Sequence, residues 1–252
     1  MEFVKCPNLP QNSVKTLILG QKYAEFLDLA LKRHGISPIY VPDNPDVDER
    51  MSGHADLSVL HIGGARLICA KHLNGSKFSE KLTEIGAKLT FLSQNQGKKY
   101  PEDANLNICI IGNAIICNTA SAEKSIVSDL TNNCCSIISV RQGYSRCAVC
   151  VADERSIITA DDGVANAAEK NGFAVLRVKP DLAELPGFEY GFIGGAAFKL
   201  DGGRLAFTGQ IYDTVQRAAI ENFLRKRNIE PLYLTDERLR DIGGAIPITE
   251  KT

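Results

Sequence analysis

Short apolar runs recur along the chain at a nearly constant interval. Thr16 to Leu19, Leu67 to Ala70, Ile115 to Asn118, Ile157 to Ala160 and Ala206 to Gly209 start 51, 48, 42 and 49 residues apart. Self-similarity at such a period marks a repeat architecture. Each run is followed by apolar residues at helical spacing: Phe26 with Ala30, Phe78 with Leu82 and Ile85, Ile126 with Leu130, Val164 with Ala168, and Val215 with Ala219 and Phe223. Every helical stretch ends at Gly35, Gly86, Asn132-Asn133, Asn171-Gly172 or Asn228, residue types that readily close a helix in the left-handed conformation. A third apolar run then follows: Ile39 to Val41, Leu89 to Leu92, Ile137 to Val140, Val175 to Val178, and Leu232 to Leu234.

Four of the five units also carry a leading strand, joined to the recurring run by a tight turn at Ile62-Gly63-Gly64-Ala65, Ile111-Gly112-Asn113, Asp153-Glu154-Arg155 or Leu200-Asp201-Gly202-Gly203. The first unit starts at Val14 without one. The chain ends on Ile242-Gly243-Gly244-Ala245-Ile246-Pro247-Ile248, an apolar segment with no unit of its own. Pairing that tail with the first unit closes the ring and removes an open strand edge. The pattern therefore predicts a single α/β domain over 1–252, with strand–strand–helix–strand units at about 14–42, 54–93, 102–140, 144–178 and 192–234. A closing strand at 243–248 completes five-fold pseudosymmetry around a central pocket.

Composition narrows the function classes. Lys plus Arg number 29 against 30 for Asp plus Glu, so no basic excess points to nucleic acid or to a membrane surface. Met1 to Pro10 lacks the basic start and apolar core of a signal peptide, no stretch is long and apolar enough to span a membrane, and a cytoplasmic location is expected. Most of the eight cysteines fall in apolar strand-like runs, where a free thiol behaves as a small hydrophobe. Cys147-Ala148-Val149-Cys150 has the gap of a metal or redox pair, but no second pair or histidine pair at zinc spacing accompanies it. A Walker loop, a dinucleotide fingerprint and a Gly-x-Ser-x-Gly elbow are all missing. No metal and no cofactor are expected.

In a five-unit ring, binding groups belong at equivalent positions where the leading strands begin. A gap-free alignment of the second and fourth units places His54 opposite Tyr144 and Asp56 opposite Arg146. Read as strand, His54 and Asp56 share one face, as do Tyr144 and Arg146: a carboxylate for a cationic ligand beside a proton carrier, and an Arg fork for a carboxylate. Gln142 precedes the second pair, and Asp161 follows the recurring run of the same unit, where N-capping also accounts for it. The third unit offers Asp103 and Asn105 in an uncertain register. The fifth offers Gly194-Gly195, where a ligand could approach backbone closely. Polar residues that merely satisfy strand entrances and loops would leave the same marks.

With these residues the chain resembles the pentein superfamily, in particular the guanidino-group-modifying enzymes, across residues 14–248, and it is also similar to uncharacterised bacterial proteins of that fold. The second unit of those enzymes opens on an aromatic-x-x-Asp pattern whose Asp grips the guanidinium. Gly53-His54-Ala55-Asp56 is similar and implies that role for Asp56. Other motifs depart from the family. Asn105-Leu106-Asn107 stands where the third unit of the family is acidic, Tyr144 where the fourth unit carries the catalytic His, and about Ile248 where the family places its nucleophilic Cys after a glycine-rich segment. An alkyl side chain cannot attack an amidine carbon, so the usual mechanism is not expected. Two classes of function follow: a diverged hydrolase-like or amidinotransferase-like protein handling a small polar, amidine-like or amino-acid-like ligand in the pocket, or a non-catalytic pentein acting as a protein-binding or ribosome-binding factor through its outer surface. A polar enclosed pocket favours the first, and a solid apolar channel with an exposed patch the second.

Overall fold

The computed structural model describes residues 1–133 and 135–252. In the first repeat, β1 (Glu2–Phe3) precedes β2 (Val14–Gly20), α1 (Ala24–Arg33) and β3 (Ser37–Val41). The second comprises a helical turn α2 (Ala55–Ser58), β4 (Val59–His61), β5 (Arg66–Cys69), α3 (Lys77–Glu84) and β6 (Lys88–Phe91). The third has β7 (Cys109–Ile111), β8 (Ala114–Cys117), α4 (Lys124–Asn132) and β9 (Ser136–Ser139). The fourth has a helical turn α5 (Ser145–Ala148), β10 (Cys150–Asp153), β11 (Ser156–Thr159), α6 (Asp162–Lys170) and β12 (Ala174–Arg177). The fifth has β13 (Ala197–Asp201), β14 (Arg204–Phe207), α7 (Thr214–Arg225) and β15 (Glu230–Tyr233), and the chain closes with β16 (Ile246–Glu250).

Each repeat forms its own sheet. An antiparallel hairpin comes first, and the helix then carries the chain to a parallel third strand, as in β4-β5-β6. The helix stops expected from Gly35 and Asn228 are left-handed, at φ +70° and +56°. The helix of the third repeat, α4, ends differently: Asn133 stays at φ −91° and its side-chain amide donates to the Asp129 carbonyl at 2.7 Å. The helices hold to their sheets through apolar stripes. In α3, Phe78 and Leu82 are buried while Ser76 caps the N-terminus by accepting from the Ser79 amide at 3.2 Å. Each such buried side chain contributes about 1.5–3 kcal/mol.

The tail supplies the strand missing from the first repeat. β16 pairs antiparallel with β2, Ile246 opposite Ile18 and Pro247 opposite Leu17. On its other side lies β1, with Glu2 opposite Glu250 and Phe3 opposite Thr249, a strand too short to leave a periodic signal. Ile246 and Ile248 are buried, and they pack with Val59, Leu67 and Phe78 of the second repeat in one apolar cluster. Four further clusters join the second repeat to the third, the third to the fourth, the fourth to the fifth, and the fifth back to the first. The core is a ring of inter-repeat seams, and it is closed. No helix among the described residues is long and apolar enough to cross a membrane.

Two local expectations are corrected. Residues 54–58 and 144–149 are not strand: each contains a single helical turn, α2 or α5, before its leading strand begins. The i, i+2 argument for a shared face therefore fails at both places. The reason is local satisfaction of backbone groups: the Leu57 amide donates back to the His54 carbonyl at 3.3 Å and the Ala148 amide to the Tyr144 carbonyl at 2.9 Å.

Candidate active site

The segments that lead into the strands meet at one end of the ring and are joined in a circuit. The Asp56 amide donates to the Gly243 carbonyl at 3.2 Å, the Gly195 amide to the Cys147 carbonyl at 2.9 Å, and the amides of Ile242 and Gly244 to the Gly195 carbonyl at 3.0 and 2.8 Å. Gln96 ties the second repeat to the third through the Leu57 and Asp103 carbonyls. Asn107 ties the third to the fourth: its Oδ1 accepts from the amides of Arg146 at 2.8 Å and Cys147 at 3.2 Å. These donors lie at the start of α5, where helical amides have no intrahelical acceptor.

At the centre of the circuit is a cavity of about 260 Å³. His54, Cys147 and Asp241 form its floor; Met51, Tyr144, Leu185, Phe188, Tyr190 and Phe192 form its walls; Glu189 lies at the rim. One ligating atom from each floor residue lies within 4.8 Å of the others, and all three residues are buried. Asp56 sits beneath the floor at 2% exposure. The Cys147 thiol donates to Asp56 Oδ2 at 2.9 Å, and Asn107 Nδ2 donates to Cys147 Sγ at 3.3 Å. Asp241 is fixed by the amides of Phe192 at 2.8 Å and Gly243 at 2.9 Å. His54 Nε2 and Asp56 Oδ1 are buried without hydrogen-bond partners.

The electrostatics are set by burial and by the paired carboxylates. Burial pushes Asp56 up to about 6, against the lowering influence of His54 and Arg146. Burial, followed by the charges of Asp56 and Asp241, holds the Cys147 thiol well above its ordinary value, and the Asn107 hydrogen bond acts the other way. Asp103 is raised by burial, its free oxygen unpartnered while the other accepts from the Tyr144 hydroxyl at 2.7 Å. Chemically, the floor and Asp56 beneath it offer a thiol, an imidazole and two carboxylates from three distant segments. Such a set can grip a cation, carry a thiol nucleophile with proton carriers at hand, or ligate a borderline metal ion. Zinc-type spacing rules are blind to it because His54, Cys147 and Asp241 lie far apart in sequence.

Of the residues singled out in the sequence, His54 and Tyr144 line the pocket and Asp56 lies directly under it. Arg146 points elsewhere: its Nη1 donates to the Gly194 carbonyl at 3.0 Å, and it lines a separate small space with Asn8 and Lys199. The helical turn separates it from Tyr144. Gln142 donates to Asp161 at 3.0 Å and accepts from the Tyr144 amide, while Asp161 caps α6 through the Val164 amide at 2.8 Å. Gly194 and Gly195 act through packing. A Cβ on Gly194 would strike the carbonyls of Val149 and Cys147, and one on Gly195 would strike the Asp241 carboxylate. The aligned strand starts do not point to Asp241 or Asn107, and Cys147 stands out in the sequence only through its pair with Cys150. Cys147 was hidden by the strand reading of its run. Asp241 and Asn107 left one faint sign, a polar residue just ahead of an apolar strand.

Solved structures share this architecture throughout. An amidinotransferase of the saxitoxin biosynthetic pathway from Microseira wollei superimposes with a TM-score of 0.62 at 9% identity, over 99% of this chain and 98% of its own. The agmatine deiminase of C. jejuni gives 0.60 at 10% identity, over 100% and 97%. The dimethylarginine dimethylaminohydrolase of Pseudomonas aeruginosa, solved with citrulline, gives 0.57 at 11% identity, over 94% and 100%. At such identities the likeness establishes the fold alone, a five-bladed pentein ring. No curated protein sequence matches the chain. Residues 18–246 match the family of unknown function DUF6873, and the chain belongs to that family.

Proposed function

We propose that this protein binds a small cation of the amidine or guanidine class in the central pocket and modifies it through the Cys147 thiol. The observation that carries the reading is the convergence of Cys147, His54 and Asp241 on the pocket floor. The pentein position for a terminal cysteine lies in β16, whose Ile248 is fully buried among aliphatic side chains, so a nucleophile has to come from another repeat. Cys147, from the fourth, is the thiol that lines the pocket.

The surrounding charges suit a cationic ligand. Asp56 and Asp241 suppress the resting thiolate, and a bound cation relieves that repulsion and makes the thiol easier to ionise. Cys147 then gives its proton to Asp56 as Sγ bonds to the amidine carbon, and the π electrons of the C–N double bond move to nitrogen. The departing amine takes a proton from His54 as its C–N bond breaks. Water, or an acceptor amine, adds to the same carbon and gives a proton to His54, which restores it; the nitrogen lone pair then re-forms the C–N double bond as the S–C bond breaks, and the departing sulfur takes its proton back from Asp56. The acidic, enclosed floor favours this reading over an outer-surface binding role.

The test compares a cationic alkylating reagent, 2-chloroacetamidine, with neutral iodoacetamide, mapping labelled cysteines by mass spectrometry. The cationic reagent is expected to label Cys147 at least tenfold faster, and Asp241→Asn is expected to erase most of that advantage. Equal rates for the two reagents, or labelling confined to other cysteines, would refute the proposal.

A further inference from the structure

Above its acidic floor the pocket is walled by rings. Tyr144 and Phe192 have centroids 6.4 Å apart, and Tyr190 meets Phe192 edge-on at 6.3 Å. Tyr100 extends the line behind Tyr144 at 5.8 Å. Phe188, 37% exposed, and Tyr190, 40% exposed, stand at the opening, where a bound ligand would cover them.

The charges of this wall are one-sided. No Lys or Arg is found among the lining residues, whereas Asp241 and Glu189 are. The neighbouring guanidinium groups are committed elsewhere. Arg50 chelates Asp48 at 2.9 and 2.6 Å, donates to the Gly187 carbonyl and stacks on Phe188 at 4.2 Å. Arg240 pairs with Glu184 and Glu237. Arg146 is buried against Gly194. A ligand carboxylate entering above the floor would meet acidic groups and aromatic rings, and the guanidinium against that wall, Arg50 on Phe188, is already paired with Asp48; an unpaired buried charge is costly.

We infer that the ligand is a monocation with an apolar, aromatic or alkyl body and no carboxylate, its charged head on the floor and its body between Tyr144, Phe192 and Tyr190. This rests on the proposed cation site and narrows it, away from amino-acid-like molecules and towards aryl or alkyl amidines. The size agrees. At about 30 Å³ per water in the liquid, about 260 Å³ is room for roughly nine waters or an amidine of similar heavy-atom count. The ring faces favour a cation as well as a flat body.

Titration calorimetry of the full chain with benzamidine, agmatine and L-arginine tests the inference. Benzamidine is expected to bind at least tenfold tighter than L-arginine, with agmatine between them. Tyr190→Ala, at an exposed position that leaves the core intact, is expected to weaken benzamidine about tenfold while leaving agmatine within threefold; Phe192→Leu should do the same more mildly. Arginine binding as tightly as benzamidine would overturn the inference and leave the thiol reading standing, because the labelling of Cys147 is scored separately. Binding of none of the three would overturn this inference together with the cation site beneath it. Tight benzamidine binding without any reactivity of Cys147 would support the inference and sink the chemistry alone.

Discussion

Asp56 is 2% exposed, one of its oxygens has no partner, and it sits close to a second carboxylate. In the folded chain its pKa rises to about 6 from the ordinary 3.8, so the native state holds this proton more tightly than the unfolded state does. Stability from protonated Asp56 is therefore complete below about pH 4 and is lost as pH rises through 6. At about 1.36 kcal/mol per pK unit, the charged side chain costs on the order of 3 kcal/mol at pH 8. Asp56→Asn keeps the shape and can still accept from the Cys147 thiol. The variant should be more stable than the parent by roughly 1–3 kcal/mol at pH 8, with the gap closing towards pH 4. Urea unfolding of both proteins at the two pH values measures it. A gap that does not narrow on acidification would show that Asp56 is already neutral, or already compensated, at pH 8.

At the scale of elements, the helical turn α5 decides where the site's thiol points, and Asn107 holds that turn. Asn107 is 1% exposed and accepts from two buried amides at the start of α5 while donating to Cys147 Sγ. Asn107→Ala leaves those amides unsatisfied at about 1–3 kcal/mol each, so a loss of roughly 2–4 kcal/mol is expected in denaturant unfolding. It also removes an influence that lowers the Cys147 pKa, and the pH profile of Cys147 alkylation should move to higher pH. A profile that stays put would mean that Asn107 is only structural. The same turn explains what the sequence could and could not reveal. The five repeats were legible because their strands and longer helices extend over enough residues to show a period, although in α7 the buried pair is Ile220 and Leu224, one position on from the expected Ala219 and Phe223, and Val215 is 73% exposed. α2 and α5 are four residues each, too short for a 3.6-residue period to separate from alternation. His54, Asp56 and Tyr144 were found because the repeats could be aligned. Cys147 was hidden because a strand reading of its run sends it to no particular site, and Asp241 because it contributes from the closing segment, which has no counterpart in the other repeats.

At the scale of the whole molecule, every seam depends on both repeats beside it, so the ring is only as stable as its closure. β16 lies between β1 and β2, with Ile246, Ile248, Thr249 and Glu250 all buried. The segment just before it brings Asp241 to the pocket and gives Asp56 its backbone acceptor at Gly243. Deleting residues 243–252 therefore removes two buried isoleucines, at about 1.5–3 kcal/mol each, and the ladder to β2. It also exposes that strand as an open edge and frees the floor of the site. The expected loss is several kcal/mol, which for a chain of this size lowers the thermal midpoint by on the order of 10 °C or more. The matching deletion at the other terminus isolates closure from mere shortening. Residues 1–3 pair only with the outer side of β16, and Phe3 is half-buried, so their loss should cost about 1–2 kcal/mol and leave benzamidine binding intact. Scanning calorimetry of the two truncations decides the matter. If the C-terminal deletion moves the midpoint no further than the N-terminal one, β16 is an appendage to a ring that the inter-repeat seams already hold. If it moves the midpoint far further and abolishes ligand binding as well, closing the ring and building the site are the work of the same ten residues.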